Sequence, residues 1–132
     1  MNNKPMNKQE AEQSAEPFVK EIVNCIAEKR YADIEKHAVF EEISLSCFTE
    51  LIEGFLELNE LPYMDRFEVP CNFSPQYEYH QLSCIVYKDG SGFHADYDLT
   101  TDGELNDLTL QMDFLFAESG GFIVKVLNAH VM

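Results

Sequence analysis

The chain predicts an α+β fold in which N-terminal helices pack on a curved, four- to five-stranded antiparallel meander sheet. Three observations carry this reading. Apolar residues recur at helical spacing as far as Leu56, the period drops to two after Pro62, and three glycine-bearing turns then separate four alternating runs. A length of 132 residues suits one domain around one core.

Residues 1–13 read as a polar, flexible leader, and 14–132 as the single α+β domain. A helix start is expected at residues 14–17, with Pro17 in the first turn, where a missing N–H costs nothing. Phe18, Ile22, Cys25 and Ile26, flanked by Val19 and Val23, form its apolar stripe. Arg30 closes it with a charge that suits the negative end of the helix dipole. Asp33 is placed to cap a short second helix over residues 34–39. Ser44 or Ser46 caps a third, where Phe48, Leu51, Ile52, Phe55 and Leu56 repeat at i, i+3, i+4, i+7 and i+8. Asn59 and Pro62 stop it.

A short strand is expected over residues 66–69, ended by Pro70. Longer ones follow near 77–88, 93–101, 106–117 and 122–131, with hairpin turns at 89–92, 102–104 and 118–121. Face polarity tests the register, because a slip of one residue exchanges the faces. Pairing Lys88 with Phe93 sets Leu82, Cys84 and Val86 opposite Leu99, Tyr97 and Ala95. Pairing Thr101 with Asn106 sets Phe93, Ala95, Tyr97 and Leu99 opposite Phe114, Met112, Leu110 and Leu108. The same register puts His94, Asp96, Asp98 and Thr100 opposite Asp113, Gln111, Thr109 and Asp107. The last strand carries Phe122, Val124 and Val126 on one parity and Leu127, Ala129 and Val131 on the other, so it is covered on both faces or switched by a bulge.

In element order, helices followed by a long-stranded meander resemble the NTF2-like and cystatin-like cones. A closer resemblance covers the C-terminal part. The segments Asp98-Leu99-Thr100-Thr101, Asp107-Leu108-Thr109-Leu110 and Ala129-His130-Val131-Met132 resemble an uncharacterised family of small bacterial proteins. In that family a strand ending DLWT leads to SDLTL, and the chain stops near DIHVL. Thr100, where the family has an aromatic, and Ala129, where it has an acid, depart from the pattern. The resemblance implies no activity.

Four groups of residues are candidates for function. Pairing Ala117 with Phe122 places His130, Thr109 and Asp98 in one row across three strands about 4.8 Å apart. An imidazole oriented by a carboxylate is the working part of a general base, so these three are the candidate catalytic set of an acid–base enzyme. Tyr97, Cys84, Met112, Phe48 and Phe55 point between sheet and helices, where cone-shaped folds hold a small apolar ligand. Asp96, Asp98, Asp107 and Asp113 make an acidic surface on the far face, suited to a basic protein partner. A metal at His94, Asp96 and Asp98 is disfavoured because alternate strand residues lie about 7 Å apart. The calcium-loop imitation at Asp102, Glu104, Asn106 and Asp113 lacks its glycine, having Asp107 in that place. No metal or other cofactor is therefore expected.

Twenty-four Asp and Glu against 9 Lys and Arg give a formal charge of −15. That charge repels phosphate backbones and anionic membrane surfaces, so neither nucleic acid nor membrane is an expected partner. No run reaches the roughly 18 apolar residues of a membrane span. No export signal precedes Cys25, Cys47, Cys71 and Cys84, so they are expected as reduced thiols of a cytoplasmic protein, with Cys25, Cys47 and Cys84 on apolar faces. The expected function is a non-enzymatic interaction module that binds a basic partner, in the manner of an immunity protein. The alternative is an NTF2-like ligand binder or acid–base enzyme using His130 with Asp98. A homodimer through the sheet, around Phe122, Val124 and Leu115, is a third expectation.

Overall fold

The computed structural model describes residues 6–131. Helix α1 runs over Lys8–Ala27, so it begins six residues before Ser14 and absorbs much of the expected leader. A capping box starts it: the Asn7 side chain accepts from the Glu10 N–H at 2.8 Å, and Glu10 Oε1 accepts from the Asn7 N–H at 3.1 Å. Pro17 consequently lies inside the helix rather than in its first turn. An interior proline costs about 3 kcal/mol in an isolated helix. Ala11 and Ala15, both fully buried, extend the stripe of Val19, Ile22 and Ile26 backwards and hold the added turns on the core.

The expected second helix is a 3-10 turn over Tyr31–Lys36, entered at Arg30 with no side-chain cap. Its successor Val39–Phe40 is strand β1, not helix. Helix α2 spans Leu45–Leu58, with Ser44 accepting from the Cys47 N–H at 3.0 Å. Phe48, Ile52 and Leu56 are buried, while Leu51 and Phe55 are half-buried.

Strands β2 Leu82–Val86, β3 Gly92–Thr101, β4 Glu104–Phe116 and β5 Phe122–Val131 complete an open five-stranded sheet in the order β1-β5-β4-β3-β2. The sheet is mixed, because β1 pairs with β5 in parallel. The fifth strand is thus residues 39–40. Residues 66–69, expected as a strand, form a turn closed by Val69 N–H to Arg66 C=O at 3.1 Å.

The β2–β3 register, and the β3–β4 register beside its turn, differ from expectation by two residues. Val86 opposes Phe93 and Cys84 opposes Ala95, two residues from the expected alignment, so every side chain keeps its face. The β3–β4 turn is the two-residue Asp102-Gly103, with φ of 53° and 81°, the positive pair of a type I′ hairpin. Thr101 therefore opposes Glu104 rather than Asn106. A bulge between Asp98 and Thr100, with Asp107 at φ 70°, restores the expected pairing from Asp98–Thr109 onward. Thr100 accordingly meets Leu105 and not Asp107. In β5 the parity switch is a bulge: His130 opposes Thr109, while Val126 opposes Met112 one residue out of step.

Phe93 and Phe114 stack at 4.8 Å and 7°, and Phe18 and Phe122 meet Phe114 edge-on at 5.8 and 5.9 Å. Phe122 and Val124 thus face the core beneath the helices, leaving Leu115 on the opposite side. Residues 59–81 carry no helix or strand yet are pinned by buried side chains. Asn24 accepts from the Phe67 N–H at 2.8 Å. Asp65 accepts from Thr100 Oγ1 at 2.8 Å and from the Asp102 and Gly103 N–H groups at 2.9 and 2.7 Å. Asn72 N–H then reaches the Gly103 carbonyl at 2.8 Å. The segment is carried past the β3–β4 turn to the sheet face turned away from the helices.

Candidate functional site

On that outer face two of the three residues expected in a catalytic row meet. Thr109 Oγ1 donates to Asp98 Oδ1 at 2.8 Å, and the Tyr79 hydroxyl donates to Asp98 Oδ2 at 2.5 Å. Burial and the hydrogen bond to the Asp98 carboxylate push the Tyr79 hydroxyl well above the ordinary tyrosine range. Thr109 is 2% exposed. His130 opposes Thr109 in register, but among the described residues no hydrogen bond or ion pair joins it to either partner. Tyr79 occupies the space over Asp98, and His130 lines a different groove with Leu51, Phe55 and Leu58 of α2.

The imidazole–carboxylate contact occurs elsewhere on this face, at His94. Its Nε2 lies 2.8 Å from Asp96 Oδ1 and its Nδ1 3.4 Å from Asp113 Oδ1. The Tyr87 hydroxyl also donates to Asp113, and burial followed by that bond raises the Tyr87 hydroxyl above its usual range. Asp113 stands opposite Lys125, whose ammonium pairs with Glu41 at 2.9 Å. This is a cross-strand polar lattice that neutralises little charge, since tyrosine donors satisfy carboxylate oxygens without removing their charge. Among the described residues no group of three or more His, Cys, Asp and Glu side chains is arranged to hold a metal. The calcium-loop imitation is pulled apart, with Asp102 in the β3–β4 turn and Asp113 far along β4.

A concavity forms where the 70–81 segment crosses the Asp98–Thr109 pair. Its volume is about 230 Å³, and Phe73, Tyr77, Tyr79, Asp98, Asp107 and Thr109 line it, over a back wall of Leu99, Leu105 and Leu108. Phe73 meets Tyr79 at 4.8 Å and 88°, and Tyr77 at 6.5 Å and 66°, so the rings form a corner instead of a stack. Asp107 reaches the wall because the β4 bulge holds it at positive φ. Phe73 was not marked by periodicity, and Tyr77 and Tyr79 were expected inside a strand near 77–88 that begins only at Leu82. Their signal is three aromatics within seven positions of a stretch that otherwise bears Ser, Pro, Gln and Glu.

The model of a family described as Domain of unknown function (DUF7668) matches residues 23–132. The chain belongs to this family. No curated protein and no solved structure matches the chain. Thr100 and Ala129 are both buried in this DUF7668 member: Thr100 donates to Asp65, and Ala129 lies opposite Leu110.

The remaining sequence candidates fall as follows. Phe48, Cys84, Tyr97 and Met112 are core side chains, each no more than 4% exposed. Phe55 is half-buried at the groove that holds His130. The Tyr97 ring stacks on Phe67 at 5.6 Å, and its hydroxyl accepts from Gln81 Nε2 at 3.0 Å. Burial pushes the Cys84 thiol up to about 12 and Tyr97 above its ordinary value. Cys25 is buried too, whereas Cys47 is exposed at the start of α2 rather than on its apolar side. Asp96, Asp98 and Asp113 are half-buried within the lattice, and Asp107 is exposed. No helix among the described residues is long and apolar enough to cross a membrane.

Proposed function

We propose that this DUF7668 domain is a non-enzymatic docking module for a basic protein, engaged through its carboxylate surface. The observation that carries the reading is how the charge is distributed. At least six of the 9 Lys and Arg side chains already pair with the chain's own carboxylates: Lys20, Lys29, Arg30, Lys36, Arg66 and Lys125. The net −15 is therefore left to solvent or to a partner. Solubility alone asks for a net charge of only about 2–8 in a small domain. Asp96, Asp98, Asp107 and Asp113 share the outer sheet face, where Lys125 is already engaged by Glu41. The acid–base alternative loses the orienting carboxylate expected for His130, since Asp98 is engaged by Tyr79 and Thr109 instead, and the His94 contacts with Asp96 and Asp113 are rungs of the cross-strand lattice.

Such docking is steered by long-range attraction and weakened by screening. The test is a calorimetric titration of the full chain with a lysine-rich and an arginine-rich peptide at about 50 and about 200 mM salt. Screening over a shorter Debye length is expected to weaken binding by about tenfold or more. Absent binding to both peptides, or binding indifferent to salt, overturns the proposal.

A further inference from the structure

Resting on that docking reading, we propose that the pocket under Phe73, Tyr77 and Tyr79 receives one organic cation, the ammonium or guanidinium head of a partner's lysine or arginine side chain. The corner of rings supplies the first half of the argument. Tyr77 is 66% exposed and Phe73 39% exposed, although burying rings of this size would stabilise the fold. Phe73 stands at 88° to Tyr79 and 66° to Tyr77, so the lining combines three aromatic rings, whose faces attract cations.

The charges supply the second half. The charged side chains in the lining are Asp98 and Asp107, both acidic. An anion entering here meets two carboxylates. A neutral apolar guest strips water from them and returns nothing. A cation gains from both the carboxylates and the rings. Asp98 is fixed by donors from Tyr79 and Thr109, yet a carboxylate offers about four lone-pair sites, so two remain for a guest. The volume of about 230 Å³ lies below the roughly 300 Å³ at which drug-sized pockets begin. It suits one side-chain head group and not a cofactor.

The experiment is an NMR titration of the full chain with end-blocked lysine, end-blocked arginine and end-blocked norleucine, the neutral isostere of lysine. The cations are expected to shift amides near Tyr77, Asp98 and Asp107 saturably, and norleucine is not. Tyr77→Ala, at an exposed ring that carries no charge, is expected to weaken the cation about two- to fivefold, and Tyr77→Phe to leave it unchanged. Asp107→Asn, which tolerates the same positive φ, is expected to weaken it as well. Equal binding of norleucine, absent saturable shifts with both cations, or an unchanged affinity in Tyr77→Ala overturns the proposal. If the lysine-rich peptide binds with steep salt dependence that Tyr77→Ala does not alter, the pocket assignment fails and the acidic docking surface stands. If blocked lysine saturates the pocket while no cationic peptide binds in a salt-sensitive way, the pocket stands and the docking reading fails.

Discussion

Removing the Asp65 carboxylate should unfasten the β3–β4 hairpin from the irregular segment that carries the pocket rings. Asp65 is 8% exposed and accepts from three donors. In Asp65→Ala the Asp102 N–H, at the exposed tip of the turn, rehydrates. Thr100 Oγ1 and the Gly103 N–H are buried and lose their partner outright. Each orphaned buried donor costs about 1–3 kcal/mol. Relief of a desolvated carboxylate offsets part of this, leaving about 2–5 kcal/mol. That is a large share of a typical stability of about 5–15 kcal/mol. Urea unfolding followed by far-ultraviolet circular dichroism should show a lower midpoint at an unchanged slope. Thr100→Val in the Asp65→Ala background removes one of the two orphans, so the double variant should be less destabilised than the sum of the singles. A loss under about 1 kcal/mol for Asp65→Ala, where orphaned donors demand more, or strict additivity in the cycle, refutes the argument.

Phe114→Ala removes a fully buried ring that stacks on Phe93 and takes the edges of Phe18 and Phe122, and should cost about 3–5 kcal/mol in the same urea assay. Gly92 has φ 153°, and an added Cβ there falls 1.9 Å from the Phe114 carbonyl oxygen. Gly92→Ala must therefore shift the β2–β3 hairpin, with strain and overpacking together of about 3 kcal/mol or more, and a variant as stable as the parent contradicts the register. Tyr31, Tyr79, Tyr87 and Tyr97 all have hydroxyls raised above the ordinary tyrosine value of about 10, burial being the largest cause in each. A raised folded value means that the unfolded chain ionises first. Stability should be intact below pH about 10 and fall as pH climbs above it. Absorbance at 295 nm should then rise together with loss of circular dichroism, and ionisation of these four tyrosines in a folded chain near pH 10 would contradict it.

Faces were legible in the sequence because apolar alternation is a local property. Every residue of β3 from Phe93 to Asp98 lies on the side its neighbours imply, and α2 follows its i, i+3, i+4 pattern with its Ser44 cap. Register was legible through most of β3–β4, but in β2–β3 only to within two residues. A slip of two keeps each side chain on its face and costs no burial, so Val86–Phe93 and Lys88–Phe93 are equally consistent with polarity. The start of α1 was hidden because Ala11 and Ala15 weigh little on any hydropathy pattern, although they are completely buried. The short parallel strand β1 carries no periodicity of its own and exists because β5 has a free edge.

The site divides in the same way. Composition fixed the sign of the surface, and alternation brought Asp98 and Thr109 together on one face of the sheet. What lies over them was decided by the fold, through Asn24 and Asp65. Their buried side chains hold an unpatterned segment by its backbone N–H groups and by the turn it crosses, and so swing three aromatic rings over the carboxylates. Such long-range polar anchors leave no period in a sequence. They depend on which groups become neighbours once the core has formed, and that is why the acidic face could be read from the chain while the pocket upon it could not.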